Sequence, residues 1–141
     1  MRRHIEPSTE QLERLLSAGG EGPVTMLNLL RYAEVADYSA SPALDPGRSV
    51  SGRDAYAAYS TGVLPILAAL GAELVLFGSC RSTVIGPPDE EWDDIALIRY
   101  PDLGSFTTMV SSEEYRAIVG HRSAALLDSR LVPTDAAASQ M

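Results

Sequence analysis

Lysine is missing from this chain of 141 residues, and all eleven of its basic residues are arginine. Schiff-base catalysis, a phosphate-binding loop built on lysine and a lysine general base are therefore excluded. Nineteen acidic residues outweigh the arginines and leave a formal charge of −8. That balance argues against nucleic acid or an anionic membrane as a partner, because neither phosphate array would be neutralised. Cys80 is the sole cysteine, which precludes an internal disulfide and a cysteine zinc cluster and reads as a small buried hydrophobe. With two histidines, His4 and His121, a histidine-rich metal site is not available, and no metal is expected. Signatures such as G-x-G-x-x-G, G-x-S-x-G, H-E-x-x-H and C-x-x-C are absent. No apolar run approaches the roughly 20 residues that cross a bilayer. The basic start Met1-Arg2-Arg3-His4 leads into Pro7 and a polar helix rather than an apolar segment, so a cytoplasmic location is expected.

The elements that remain are well punctuated. Ser8 and Gln11 form a capping-box pair for a short helix carrying Leu12, Leu15 and Leu16, which Gly19 and Gly20 end. Val24 to Tyr32 reads as a buried strand. Residues 33–50 have little periodicity and form a long loop of the functional or mobile kind. Ser51 caps a second helix whose face carries Tyr56, Tyr59, Val63, Ile66, Leu67 and Leu70, with a kink expected at Pro65. Glu73 to Gly78 and Ser82 to Ile85 read as one strand interrupted near Ser79-Cys80, and Trp92 to Tyr100 as the next. A helical turn or two over 102–110 precedes a clearer helix capped by Ser111 or Ser112, and Arg130 to Thr134 is a short last strand.

Strand, helix, strand, strand, helix, strand is the split β-α-β order of a ferredoxin-like α+β fold. The expected organisation is an N-terminal helix and linker over 1–22, one βαββαβ domain over 23–134 and a frayed tail over 135–141. Both faces of the strands carry apolar residues: Met26 and Leu30 alternate with Leu27 and Leu29, and Ile95 and Leu97 with Ala96 and Ile98. An exposed apolar sheet face is a liability in a monomer, so a homodimer built by sheet packing is expected, with a small-molecule site between sheet and helices.

Polar residues in apolar settings are the candidates for chemistry. Asn28, the only asparagine, interrupts Met26-Leu27-Asn28-Leu29-Leu30, either satisfied by backbone or holding a ligand carbonyl or hydroxyl. Arg31 ends that strand across from Asp93 or Asp94, so it forms a rim ion pair or binds a ligand carboxylate; we take Asp93 as its partner at the site. On the last helix Arg122 breaks the stripe of Tyr115, Ile118, Val119 and Leu126, and His121 at its edge is the group placed to titrate near neutrality. Tyr59 and Trp92 serve as core or as cavity contacts, and a phenol there could donate to a developing oxyanion. Arg31, Arg99 and Arg122 are the three arginines within segments that should face a core, which suggests a small anionic or enolate-like ligand.

Together, Val24-Thr25-Met26-Leu27-Asn28-Leu29-Leu30-Arg31-Tyr32, Tyr56-Ala57-Ala58-Tyr59, Pro65-Ile66-Leu67, Arg99-Tyr100-Pro101 and Glu114-Tyr115-Arg116-Ala117-Ile118 with His121-Arg122 resemble a known family. It is the domain-of-unknown-function family 1330, in the dimeric α+β-barrel superfamily, and the resemblance covers roughly residues 22–134. A Glu-Gly pair frequent in that family is Ile85-Gly86 here. The resemblance implies a ferredoxin-like fold and a sheet-packed homodimer. The wider superfamily includes cofactor-free monooxygenases, cyclases, isomerases and haem enzymes, and a shared fold selects none of these chemistries.

The leading expectation is a small enzyme with no cofactor, of isomerase, lyase or monooxygenase type, acting on a small oxygenated metabolite. Asn28, Arg31 and Tyr59 would orient a carbonyl, and His121 with Arg122 would move or stabilise a proton. The rival is a non-catalytic small-molecule-binding dimer, and a third reading makes His121 an axial haem ligand.

Overall fold

A computed structural model describes residues 4–135. The chain order is α1 (Thr9–Ala18), β1 (Val24–Tyr32), a 3-10 turn (Pro42–Leu44), α2 (Gly52–Ala69), β2 (Glu73–Ser79), β3 (Asp94–Tyr100), α3 (Leu103–Ser111), α4 (Glu113–Arg116), α5 (Val119–Ala125) and β4 (Leu126–Thr134). The four strands form one antiparallel sheet in the order β2-β3-β1-β4. This is the ferredoxin-like α+β arrangement with an extra N-terminal helix.

Side-chain alternation along β1 sets the two faces. Val24, Met26, Asn28 and Leu30 are buried, while Thr25, Leu27, Leu29 and Arg31 are half-buried on the other side. The register places Met26 beside Ile98, Asn28 beside Ala96 and Leu30 beside Asp94, so β3 continues the same buried face. Tyr56, Tyr59, Val63 and Leu67 of α2 join Met26, Leu30, Tyr100, Phe106 and Met109 in the core. Among the described residues the helices cover this face alone.

Caps define the helices as expected. Ser8 and Gln11 complete the reciprocal box of α1, and the Ser51 hydroxyl accepts from the Asp54 amide at the start of α2. Pro65 removes one ladder bond, yet α2 continues through it to Ala69.

Four expectations are corrected. Strand β2 ends at Ser79, and 82–85 does not pair: Thr83 bonds instead to Glu90 and Glu91, leaving Val84 and Ile85 exposed. Pro87-Pro88 supplies no amide for a ladder there. Strand β4 begins at Leu126 rather than Arg130, because the helix-favouring Ala124-Ala125-Leu126 stretch is overtaken by pairing with β1 around a bulge at Arg31/Tyr32. The helix expected from Ser112 onward is split into α4 and α5, between which Ile118 adopts φ −118°. Beyond the split, Gly120 packs so closely on Ser41 and Leu44 that a Cβ would overlap them. The 33–50 loop is tied down, with amides of Ala36 and Asp37 bonded to the carbonyls of Val50 and Ala124 and Tyr38 buried. The tail expected over 135–141 lies outside the described residues beyond Asp135.

Candidate functional site

A cavity of about 1610 Å³ lies between the helix-covered sheet face and α1, α2 and α3. Met26, Val63, Leu67, Phe106 and Met109 give it apolar walls, and α1 contributes Leu12 and Leu15 to its outer side. The segment preceding α1 is held in place by polar contacts. The His4 amide donates to Asp128 Oδ1 (2.9 Å), and Arg122 Nη1 donates to the Ile5 carbonyl (2.9 Å).

Within these walls stands a row of tyrosines. Ring centroids of Tyr32 and Tyr56 are 5.5 Å apart, those of Tyr56 and Tyr59 5.2 Å, and those of Tyr59 and Tyr115 6.1 Å. The Tyr59 and Tyr115 hydroxyls are 3.0 Å apart. Burial pushes the phenols of Tyr56 and Tyr59 above their ordinary value, with Arg122 opposing the shift in both. Tyr32 is raised by burial and by its bond to Asp94, and Tyr100 by burial. These phenols stay protonated at neutral pH, so the cavity offers neutral hydroxyl donors beside the guanidinium of Arg122.

At the other end, Asp94 Oδ2 accepts from the Tyr32 hydroxyl (2.6 Å) and from Arg53 Nη1 (3.0 Å). The Arg53 guanidinium also lies 4.7 Å over the Tyr32 ring. Asp94 is 1% exposed, and its Oδ1 has no hydrogen-bond partner among the described residues. No group of three or more His, Cys, Asp or Glu among the described residues could hold a metal ion.

Of the residues singled out from sequence, Asn28, Tyr59 and Arg122 line the cavity. Asn28 Nδ2 donates to the Ala96 carbonyl at 3.3 Å, so its amide is partly engaged by β3. His121, Arg31, Trp92 and Asp93 do not line the cavity. His121 Nδ1 sits 2.7 Å from the Tyr38 hydroxyl, and burial lowers its pKa. The imidazole is thus engaged with Tyr38 outside the cavity wall. Arg31 Nε and Nη2 donate to the carbonyls of Glu91 and Asp89, while the Asp93 carboxylate accepts from the Tyr32 amide (2.8 Å). Trp92 lies between Arg31 and Arg130, at 5.5 and 5.0 Å from their guanidinium carbons. Arg99, expected to face a core, is about half exposed and pairs with Glu73. Arg53, Tyr32 and Tyr115 are among the polar cavity residues not expected from sequence, and Asp94, named there only as an alternative to Asp93, is another. Strand phase was the available signal: Asp94 alternates with Ala96, Ile98 and Tyr100, whereas Asp93 is out of step with them.

The protein of unknown function RPA0582 from Rhodopseudomonas palustris is similar to this chain at 34% identity, with a TM-score of 0.87 and coverage of 98% of this chain and 100% of that one. The methylated RPA0582 protein superimposes with the same TM-score at 36% identity over 97% of each chain. A ferredoxin-like protein of the dabb family from Mesorhizobium loti shares the fold at 12% identity, with a TM-score of 0.52 over 83% of this chain and 99% of that one. A dimeric ferredoxin-like protein of unknown function from Bacteroides fragilis does so at 10% identity, with a TM-score of 0.50 over 82% and 97%. No curated protein matches the chain. The sequence profile of the domain of unknown function DUF1330 matches residues 48–134, more than half of the chain, and the protein belongs to that family.

Proposed function

We propose that this protein is a small enzyme needing no cofactor, which binds an oxygenated, partly apolar or anionic metabolite between sheet and helices. The observation that carries the reading is the cavity itself: apolar walls around buried, protonated phenols of Tyr56 and Tyr59, with Asn28 and Arg122 beside them. Phenol and guanidinium donors held against apolar walls can stabilise negative charge developing on a substrate oxygen. Tyr59, bonded to Tyr115, is the donor to that oxygen; Arg122 holds an anionic or carbonyl end; Asn28 orients the ligand. His121 has no part in this scheme.

A homodimer belongs to the same proposal. Leu27, Leu29, Ile95 and Leu97 lie half-buried on the sheet face that no helix covers, and Leu76 and Val132 there are about half exposed. A second copy packed on this face would remove it from water, and the Bacteroides fragilis protein of the same fold is described as dimeric.

Crystals soaked with metabolite mixtures test the binding. Ordered density against Tyr59 and Arg122 supports it; a cavity that collapses or stays unfilled with every mixture refutes it. Catalysis is tested by mass spectrometry of the same mixtures after incubation. Conversion by the native chain that Tyr59→Phe abolishes, with binding retained, is the enzyme's signature. Binding without conversion gives the alternative, a non-catalytic binding protein.

A further inference from the structure

Asp94 is a buried carboxyl group with one oxygen that neither the fold nor the proposed chemistry has used. Its Oδ2 takes both available donors, the Tyr32 hydroxyl at 2.6 Å and Arg53 Nη1 at 3.0 Å. Those two bonds fix the plane of the carboxyl group and leave Oδ1 without a partner among the described residues, although the residue is 1% exposed. A buried carboxyl oxygen with no donor is costly, and native structures rarely keep one without a use. Asp94 lines the cavity, and the tyrosine row leads from its partner Tyr32 to Tyr56 and Tyr59, whose phenols both feel the charge of Arg122. The row thus carries an acceptor in need of a donor at Asp94, where it begins, and a cation, Arg122, beside Tyr56 and Tyr59.

Resting on the binding role proposed above, we infer that Asp94 Oδ1 accepts a hydrogen bond from a ligand hydroxyl. The ligand class is then a compact planar molecule with a phenolic or enolic hydroxyl at one end and a carboxylate or carbonyl at the other. Arg53 holds Asp94 in place without closing the site permanently, since its own side chain is 59% exposed and can shift to admit the hydroxyl. Planarity follows from the walls, because flat π-systems stack on phenol rings at little entropic cost.

Three probes decide the matter on the full chain: 4-hydroxybenzoate, benzoate and 4-methoxybenzoate, titrated calorimetrically. A hydrogen bond to a charged acceptor favours the hydroxyl probe by about tenfold or more over the other two. In Asp94→Asn the amide oxygen must face the Tyr32 and Arg53 donors, which puts the NH₂ group where Oδ1 was and removes the acceptor. That variant should bring the three probes to within about twofold of one another. Arg122→Gln should weaken all three alike and leave the preference intact. Equal affinities in the wild-type chain overturn the assignment of Asp94 while leaving the cavity's binding role standing. Failure of all three to bind in the millimolar range overturns both. The wild-type preference requires no variant, so it decides the question even if Asp94→Asn does not fold.

Discussion

Gly52→Ala is expected to be among the most damaging single-methyl additions to this fold. Gly52 opens α2 at a junction where the chain leaving β1 and the end of α5 meet. Its amide donates to the Ala33 carbonyl (3.0 Å), and the Ala33 amide donates to the Ala125 carbonyl (2.8 Å). A Cβ at position 52 would lie 2.2 Å from the Ala33 oxygen, 2.5 Å from the Ala125 oxygen and 2.8 Å from the Ala33 nitrogen. All three are backbone atoms, so no rotamer change relieves the overlap. Ordinary contacts of this kind need about 3.5 Å, and the segments must separate by roughly 1 Å, breaking the bonds that join them. Overpacking costs about 1–3 kcal/mol and each buried backbone bond left unmade about 1–3 kcal/mol. The expected loss is therefore at least about 3 kcal/mol, a large part of the roughly 5–15 kcal/mol that stabilises a domain. Thermal unfolding should fall by roughly 9 °C or more, at about 3 °C per kcal/mol for a chain of this size. Gly62→Ala is the internal control. The atoms nearest its Cβ would all belong to the Ile118 side chain, at 2.9 to 3.3 Å, and alanine gains about 1 kcal/mol of helix propensity. Its stability should stay within about 1 kcal/mol of wild type. Urea unfolding followed by circular dichroism measures both variants, and a Gly52→Ala loss below about 1 kcal/mol would refute the rigid-junction argument.

Three further outcomes follow from the charges and the uncovered sheet face. Burial pushes the Asp128 carboxyl up, but the His4 and Ser129 amides and the Arg130 guanidinium outweigh it and leave its pKa below the ordinary value. Its contribution to stability is thus present above the ordinary carboxylate range and is lost as pH falls through its folded-state value; Asp128→Asn should flatten that acid limb and speed hydrogen exchange at the His4 amide. His121 has the opposite ionisation: burial favours the neutral ring, so stability should decline as pH drops from about 6.5 toward its lowered folded-state value, and His121→Gln should remove that slope in urea midpoints. Leu97→Arg, placed on the uncovered face opposite Leu27 and Leu76, should convert a wild-type dimer to monomer in sedimentation runs; a wild-type monomer at micromolar concentration would contradict the apolar-face reasoning.

Local chemistry made the topology legible. Ser8, Ser51 and Ser112 each cap a helix through their own hydroxyls, and the apolar alternation of β1 and β3 assigned two faces before any contact was known. Long-range pairing was not legible. Nothing in Ala124-Ala125-Leu126-Leu127 shows that β1 draws the chain into a strand at Leu126, and nothing local distinguishes Val84-Ile85 from a paired strand except its proline-rich flank. The site was read in part for the same reason. Asn28 and Arg122 were found because each interrupts an apolar stripe, and Tyr59 because its phenol lies on the apolar face of α2. Arg31 and Arg99 also lie in apolar strands, but on the other phase, where the first bonds to carbonyls of the β2–β3 connection and the second pairs with Glu73. Counting an arginine as inward therefore requires the strand phase as well as apolar neighbours. Asp93 and Asp94 differ by that single step: one ties the end of β1 through the Tyr32 amide, and its neighbour enters the cavity.

The position of Asp94 separates what the fold requires from what it tolerates. A buried carboxyl group with one unpaired oxygen costs about 1–3 kcal/mol, and Tyr32 and Arg53 offset only the other oxygen's share. Buried polar networks replaced whole by apolar groups of similar size are often neutral or gain about 1–4 kcal/mol, whereas removing one member leaves the rest unpaired. The triple variant Asp94→Leu, Tyr32→Phe, Arg53→Met removes every charge and hydroxyl of this network while keeping its volume. If the network serves a ligand rather than the fold, that chain should unfold in urea at least as late as wild type and lose the preference for hydroxylated probes. Asp94→Leu alone should be less stable than the triple variant, because it strands the Tyr32 hydroxyl and removes the Arg53 counter-charge. A triple variant less stable than wild type by more than about 2 kcal/mol would instead make the trio part of the scaffold.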